Sequence, residues 1–253
     1  MSSGRVAMVT GAAGSIGSAI AAELAETADQ VILVDRDPVV QQVADKLSAA
    51  SKASCSAITA NLAISDEVHR VVAAILDQNG GVDILVNCAG INRQADNGDK
   101  FFLEDVTDAG WGETFAVNLT APFMLTRAFV AGMKERRWGR IINIASRAGR
   151  TYVAASNVDY SSSKAGLVGL SRMVAGECAP FGITVNTIAP GRVSSSLADS
   201  QSSEIIEEQM RHVPIGRIGD ATDVAHAVRF FADDRAAFIT GSILDLNGGA
   251  FMP

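Results

Sequence analysis

The feature that most constrains this chain is a regular alternation of short buried strands with helices along its whole length. Predicted strands cover residues 5–10, 30–35, 55–61, 82–87, 140–146, 183–190 and 242–246. Predicted helices cover residues 15–26, 38–50 (with Pro38 in the first turn), 66–78, 112–134, 158–180 and 221–233. Because strand–helix–strand units cross over with one hand and give parallel strands, we expect a parallel sheet in one α/β domain spanning 1–253.

Composition narrows the class of protein. The chain has 253 residues, 48% of them hydrophobic, so one domain can bury a large core. The net charge is −7 and no basic stripe is present, which disfavours nucleic acid and anionic membranes as partners. No run approaches the roughly 18 apolar residues of a membrane span, and the first residues do not resemble a signal peptide. Three cysteines without C-x-x-C spacing and three isolated histidines predict a cytoplasmic protein with reduced thiols and no bound metal.

A glycine-rich turn follows the first predicted strand. In "TGAAGSIG", Gly11, Gly14 and Gly17 are spaced by three and open a helix, where free N–H groups favour a phosphate ligand. Asp35 ends the second strand, where a carboxylate accepts hydrogen bonds from ribose hydroxyls and repels a 2′-phosphate. This pattern favours NAD over NADP, although Arg36 is able to pair with a 2′-phosphate.

A tyrosine and a lysine lie four residues apart in "YSSSK". On a helix, Tyr160 and Lys164 share one face. A nearby ammonium favours the phenolate and lowers the pKa of the phenol, which makes the pair suited to proton transfer between an alcohol and a ketone.

These residues resemble the classical short-chain dehydrogenase/reductase family over essentially the whole chain. The matching motifs are "TGAAGSIG" (10–17), "NCAG" (87–90), "VNLTAPF" with Asn118, "IINIAS" with Ser146, "YSSSK" (160–164), "NTIAPG" (186–191) and "FITGSILDLNGG" (238–249). The resemblance implies a Rossmann-type, doubly wound fold with a seven-stranded parallel sheet and helices on both faces. It also implies a homotetramer.

The resemblance also implies roles for individual residues. Tyr160 would be the general acid and base, Lys164 would lower its pKa and bind the nicotinamide ribose, and Ser146 would hold the substrate oxygen. Asn118 would hold a water of the proton relay. The implied cofactor contacts, besides Tyr160 and Lys164, are Gly11, Ser15, Ile16, Gly17, Asp35, Arg36, Asn61, Leu62, Asn87, Ala89, Gly90, Pro190, Gly191, Val193 and Ser195.

The chain departs from the family pattern in the glycine turn. Ser15 stands where the classical turn has glycine, which gives the G-x-x-G-x-x-G spacing of the extended relatives, such as sugar-nucleotide epimerases. Those proteins are longer after the catalytic helix, so we interpret the shift as local. Asn61 stands where an aspartate contacts adenine, and its amide is able to make that contact.

The substrate is the least determined part of the prediction. Predicted substrate loops carry Arg93, Arg147, Arg150 and Arg192, which suit an anionic group. The first hypothesis is therefore an NAD(H)-dependent oxidoreductase for a small polar alcohol, anionic or polyhydroxylated. The alternative is a 3-oxoacyl-carrier-protein reductase using NADPH, with "KERRWGR" (134–140) meeting an acidic carrier. A non-catalytic nucleotide sensor is a third hypothesis, disfavoured by the complete catalytic set.

The serine-rich segment after Gly191 predicts a mobile lid at about 193–213.

Overall fold

Seven strands form one parallel sheet in the computed structural model, which describes residues 4–94, 100–194 and 213–253. The strands are β1 (Val6–Thr10), β2 (Gln30–Asp35), β3 (Ser54–Thr59), β4 (Ile84–Asn87), β5 (Gly139–Ile144), β6 (Ile183–Pro190) and β7 (Ile243–Leu246). Their order across the sheet is β3-β2-β1-β4-β5-β6-β7, and every described pairing is parallel. The predicted doubly wound α/β fold is confirmed.

Helices cover both faces of the sheet. They are α1 (Ser15–Ala25), α2 (Val40–Ala50), α3 (Ser65–Asn79), α4 (Asp108–Phe115), α5 (Ala121–Arg136), α6 (Val158–Cys178) and α7 (Ala221–Ala232). One buried cluster joins the sheet to α1, α2 and α7, and a second joins it to α3, α5 and α6. The central strands β1, β4, β5 and β6 are therefore buried from both sides, which explains their continuous apolar sequence.

Several predicted boundaries were wrong by a few residues. Pro38 lies before α2 rather than in its first turn, since the helix begins at Val40. β5 ends at Ile144, so Ser146 stands beyond the strand and is free to turn toward the sheet edge. The helix predicted at 112–134 begins at Asp108 and contains a π-helical turn, Ala116–Thr120, between α4 and α5. Periodicity alone does not reveal such a turn, because one extra residue interrupts the apolar spacing only over a short stretch.

The site lies where the strand order reverses. β1 pairs with both β2 and β4, so the connections leaving β1 and β4 diverge to opposite faces and leave a crevice at their carboxyl ends. The hydroxyl of Thr10, the last residue of β1, accepts hydrogen bonds from the N–H groups of Cys88 and Ala89, both at 3.0 Å. This contact fixes the loop after β4 against the glycine turn.

The helical run Asp108–Arg136 is long and apolar enough, by length and composition alone, to cross a membrane. No membrane-spanning segment was predicted from the sequence. Leu125, Phe129 and Met133 of this run are buried against the sheet, as in the core helix of a globular domain, and such helices meet the same criterion.

Candidate active site

The turn between β1 and α1 brings three stretches of backbone close together. Gly11 has φ 70°, a conformation that favours glycine, and a Cβ there would lie 2.8 Å from the Cα of Ala89. A Cβ on Gly17 would collide with the carbonyl of Gly11. No side chain caps α1 at Gly14, and its first turn has no acidic residue, so the N–H groups of that turn remain without side-chain acceptors. This helix start therefore fits the pyrophosphate of a dinucleotide.

Asp35 is held in place at the end of β2. Its Oδ2 accepts the N–H of Ala13 at 2.9 Å, and its Oδ1 accepts the N–H of Asp37 at 3.0 Å. These bonds fix the carboxylate beside the glycine turn, at one end of the crevice. Asn61 and Leu62, just beyond β3, line the same end together with Arg36. This region fits the adenosine half of a dinucleotide.

An open cleft runs from this end to Ser146, Tyr160 and Lys164. Of the predicted cofactor contacts and catalytic residues, it is lined by Gly11, Ser15, Ile16, Gly17, Asp35, Arg36, Ala89, Gly90, Ser146, Tyr160, Lys164, Pro190, Gly191 and Val193. Gly14 of the predicted glycine turn also lines the cleft, and the further lining residues that were not predicted are Ala13, Asp37, Cys88, Asn92, Ile144 and Ala145. Most of these lie inside quoted motifs, namely "TGAAGSIG", "NCAG" and "IINIAS", so membership of a motif was the signal that could have predicted them.

Ser146, Tyr160 and Lys164 meet at the other end of this cleft. Lys164 is 3% exposed, and its Nζ donates a hydrogen bond to the carbonyl of Ile144 at 2.8 Å. The same Nζ lies 5.8 Å from the centre of the Tyr160 ring. The Ser146 hydroxyl accepts the N–H of Ala148 at 3.1 Å, which holds the side chain at the start of the loop after β5.

Burial is the largest cause of the pKa shifts of Tyr160, Lys164 and the neighbouring Cys88. Desolvation raises the pKa of Tyr160 above its ordinary value, and a hydrogen bond with the Ser146 side chain acts in the opposite direction. Desolvation also lowers the pKa of Lys164 to about 8, and it raises the pKa of the neighbouring Cys88 thiol to about 12. The pKa of Tyr160 therefore moves upward, whereas the sequence analysis expected Lys164 to lower it. The reason is that loss of hydration penalises the phenolate.

Asn118 lies within the π-helical turn and is fully buried. Its Oδ1 accepts the N–H of Ile91 at 2.9 Å, and its Nδ2 donates to the carbonyl of Ile91 and to the Ser163 hydroxyl, both at 3.0 Å. The side chain thus joins the loop after β4 to α6 and does not line the cleft. π turns shift backbone carbonyls out of the regular helical ladder and are frequent at functional sites.

Two other predicted cofactor contacts are placed differently from the rest. The Asn87 side chain is buried away from the cleft and donates to Asn143 Oδ1 at 2.7 Å. Asn143 in turn donates to the Ser171 hydroxyl at 2.8 Å, so these amides link β4, β5 and α6. Ser195 and most of the predicted lid at 193–213 lie outside the described residues.

A second cleft, here called the outer cleft, continues from Ser146 and Tyr160 toward solvent. Arg147 and Arg192 line it, together with Asn92 and the apolar residues Val153, Ala155, Val213 and Ala250. The other two predicted substrate arginines lie elsewhere.

Arg93 and Arg150 are held by partners outside this cleft. Arg93 packs on the Phe101 ring and lies 4.0 Å from the carboxylate of Asp159. Arg150 pairs with Asp245 at 3.1 Å. In the part of the chain that the structure describes, no three His, Cys, Asp or Glu side chains are grouped to hold a metal ion.

Comparison with known proteins finds relatives in both sequence and structure. The profile of a family described as enoyl-(acyl carrier protein) reductase matches residues 11–250. The 3-oxoacyl-(acyl-carrier-protein) reductase FabG of Vibrio cholerae is 39% identical over 250 residues, which is 98% of each chain. A crystal structure of a 3-oxoacyl-(acyl-carrier protein) reductase from Brucella melitensis with bound NAD has 31% identity and a TM-score of 0.91, over 99% of this chain and 92% of that one.

A further structure, provisionally identified as an NAD(P)-dependent gluconate 5-dehydrogenase from Beutenbergia cavernae, holds NADP at low occupancy. It has 35% identity and a TM-score of 0.88, over 98% of this chain and 97% of that one. The resemblance stated from the motifs is confirmed, and a pyridine nucleotide is the cofactor class. The chain belongs to the classical short-chain dehydrogenase/reductase family and is an NAD(P)-dependent oxidoreductase acting on CH–OH groups.

Proposed function

We propose that this enzyme reduces a 3-oxoacyl thioester to the 3-hydroxyacyl thioester, the reaction named for its Vibrio relative. The proposal depends on one observation: Ser146, Tyr160 and Lys164 converge where the dinucleotide cleft meets the outer cleft. Sequence likeness over 98% of both chains supports the substrate class. This assignment follows the alternative of the sequence analysis rather than its first hypothesis, because relatives acting on acyl carriers dominate the similarity.

The chain's own residues supply proton transfer and positioning. Tyr160 donates its hydroxyl proton to the substrate ketone oxygen, and the Ser146 hydroxyl donates a hydrogen bond to the same oxygen. Lys164 is buried, and its ammonium stabilises the phenolate that remains on Tyr160. When bound, the dinucleotide would supply the hydride from its nicotinamide; the glycine turn would hold its pyrophosphate, Asp35 its adenosine ribose and Lys164 its nicotinamide ribose. In the direction of oxidation the same phenolate accepts the proton of the alcohol.

We also propose that NAD(H) is preferred over NADP(H). Asp35 Oδ1 and Oδ2 are fixed by backbone N–H groups at the adenosine end of the cleft, so the carboxylate cannot turn away without losing both bonds. A 2′-phosphate bound there would face a fixed negative charge, and Arg36 beside it offers only partial compensation.

A small anionic or polyhydroxylated alcohol is the second candidate substrate. The segment 134–140, which the sequence analysis assigned to an acidic carrier, lies at the amino end of β5, opposite the end that leads to Ser146. Within it, Arg136 pairs with Asp83 at 3.0 Å and Arg137 donates to the carbonyl of Pro180 at 3.0 Å. On this chain that segment is therefore poorly placed to present a carrier to its own cleft.

A four-way comparison tests the function. Purified enzyme is supplied with 3-oxobutanoyl-CoA and either NADH or NADPH, or with a hydroxy acid and either NAD or NADP. The absorbance of the reduced nicotinamide is followed in each case. Faster turnover of the thioester supports the first candidate, and faster turnover of the hydroxy acid supports the second. No turnover with either class contradicts both.

We propose that the enzyme is a homotetramer. Phe123 on α5 and Met173 on α6 are 42% and 66% exposed, and Phe230 on α7 and Phe238 before β7 are 52% and 102% exposed. Exposed large apolar side chains on these elements suit contacts between copies related by two-fold axes. Light scattering after size-exclusion chromatography measures the mass, and a monomer would contradict the proposal.

A further inference from the structure

The outer cleft has an electrostatic character opposite to that of the whole chain. The chain carries a net charge of −7. Among the described residues that line the outer cleft, two are arginines and none is Asp or Glu. The cleft begins at Ser146 and Tyr160, and both arginines are half-buried in its lining. A ligand held there therefore meets positive charge close to the reacting carbon.

Of the two arginines, Arg147 lies next to the reacting groups in sequence. It follows Ser146 directly and begins the short 3-10 turn after β5. Its guanidinium makes no hydrogen bond or ion pair with any residue that the structure describes, whereas Arg93 and Arg150 lie near or pair with carboxylates of their own. An arginine in a cleft without an acidic partner gains most from an anion supplied by a ligand.

Arg192 lies on the loop after β6, next to Gly191, and lines the same cleft. It is half-buried, and desolvation lowers its pKa. Partial burial reduces screening by water, so a nearby anion interacts with it more strongly than with a surface arginine. Two elements thus bring guanidinium groups to one cavity.

We propose that Arg147, assisted by Arg192, forms an anion subsite that binds a negatively charged group of the substrate. The matching ligand chemistry is a carboxylate, sulfonate or phosphate linked to the ketone or carbinol carbon. The inference rests on the proposed ketone–alcohol reaction and further specifies that the substrate of that reaction carries a negative charge. Two sources supply such an anion: a free acid group on a small substrate, or the phosphate of a phosphopantetheine arm.

Four substrates that share one 3-oxobutanoyl unit separate these sources. The first pair is acetoacetate and its methyl ester, which differ in the free carboxylate. The second pair is 3-oxobutanoyl-phosphopantetheine and 3-oxobutanoyl-pantetheine, which differ in the phosphate. The measured quantity is the ratio of kcat/KM within each pair, because a ratio is insensitive to the amount of folded enzyme.

We expect the wild-type enzyme to prefer the charged member of one pair by roughly 10–100-fold, the range for a hydrogen bond to a charged group. The variant Arg147→Met should reduce that ratio to near one while the neutral member keeps its rate, and Arg147→Lys should retain part of it. Arg150→Met is the matched control, since Arg150 lies three residues further on and pairs with Asp245. It should leave the ratio unchanged.

The two proposals fail in different ways. Ratios near one for both pairs in the wild type, or a ratio that survives Arg147→Met, would overturn the subsite while leaving the reaction intact. If none of the four compounds is reduced, the proposed reaction fails. Calorimetric titration of acetoacetate into the NAD-loaded enzyme then decides the subsite. Binding that is lost in Arg147→Met supports it, and equal binding or none contradicts it.

Discussion

The Nζ of Lys164 donates a hydrogen bond to the backbone carbonyl of Ile144 at 2.8 Å, which fixes a buried ammonium at the carboxyl end of β5. A Cβ on Gly90 would lie 3.0 Å from this Nζ. The charge is therefore enclosed by backbone from two sides, with the cleft as its open side. This arrangement holds a cation where it can interact with the Tyr160 phenol and with a ribose hydroxyl. The burial of the ammonium costs hydration free energy whenever no ligand occupies the cleft.

That cost should appear in the pH dependence of stability. Because the pKa of folded Lys164 is lowered to about 8 from an ordinary value of 10.5, the unfolded chain holds this proton to higher pH than the folded chain. Stability from this group therefore rises as the pH increases from about 8 to 10.5 and is constant below that window. We expect Lys164→Met to be more stable than the wild type at pH 7, with an advantage that shrinks across the window.

Urea denaturation of both proteins at a series of pH values, without cofactor, measures this difference. Lys46→Met on the exposed surface of α2 serves as the control. A stability difference between Lys164→Met and the wild type that stays constant from pH 7 to 10.5 would refute the burial argument.

Removing the phenol hydroxyl should abolish proton transfer and spare binding. We expect Tyr160→Phe to lower kcat by roughly 10²–10⁴-fold, the usual contribution of a positioned acid or base. The dissociation constant of the cofactor should change little, because the glycine turn and Asp35 are untouched. Steady-state kinetics and fluorescence titration of the reduced cofactor provide the two readouts. Activity within a few-fold of wild type would mean that another group transfers the proton.

Removing the Asp35 charge should weaken the discrimination against NADP. We expect Asp35→Ser to raise kcat/KM for NADP relative to NAD by about 10-fold or more, since facing like charges cost several kcal/mol. The variant also loses the acceptors of the Ala13 and Asp37 N–H groups, so a lower melting temperature should accompany the change. Asp37→Ser is the control, because it removes a charge two residues away. An unchanged cofactor ratio in Asp35→Ser would contradict the assigned role.

Two glycines of α4 should differ sharply in their tolerance of alanine. A Cβ on Gly110 would collide with the guanidinium of Arg93, whereas nothing lies within 4 Å of a Cβ on Gly112. The guanidinium is the end of a flexible side chain and can move aside by giving up its contacts with Asp159 and Phe101, so we expect Gly110→Ala to destabilise the fold by up to about 1 kcal/mol. Gly112→Ala should be neutral or stabilising by up to about 1 kcal/mol, from helix propensity. Urea denaturation compares them, and equal effects would show that the contact of Arg93 with α4 is unimportant.

Local rules explain why so much of the fold was predictable. Each strand of the sheet's centre is buried on both faces, so its sequence is a short apolar run ending at a turn residue, as in β1 and β4. The glycine turn and the Tyr160–Lys164 spacing are also local, because a turn and one helical turn each span a few residues. The π-helical turn at Asn118 was not predicted, since the one extra residue it takes in changes the side-chain spacing too briefly to be recognised in a single sequence.

By itself, the sequence determined the parallel sheet, the glycine turn at α1 and the four-residue spacing of Tyr160 and Lys164, because these follow from periodicity and backbone sterics along short segments. Only the tertiary structure decided which of the four predicted arginines line the outer cleft. Arg93 and Arg150 lie against carboxylates from distant parts of the chain, and Arg147 meets none among the described residues. It also decided that burial raises the pKa of Tyr160. Desolvation and charge pairing depend on distances between segments far apart in sequence, and no local pattern encodes those distances.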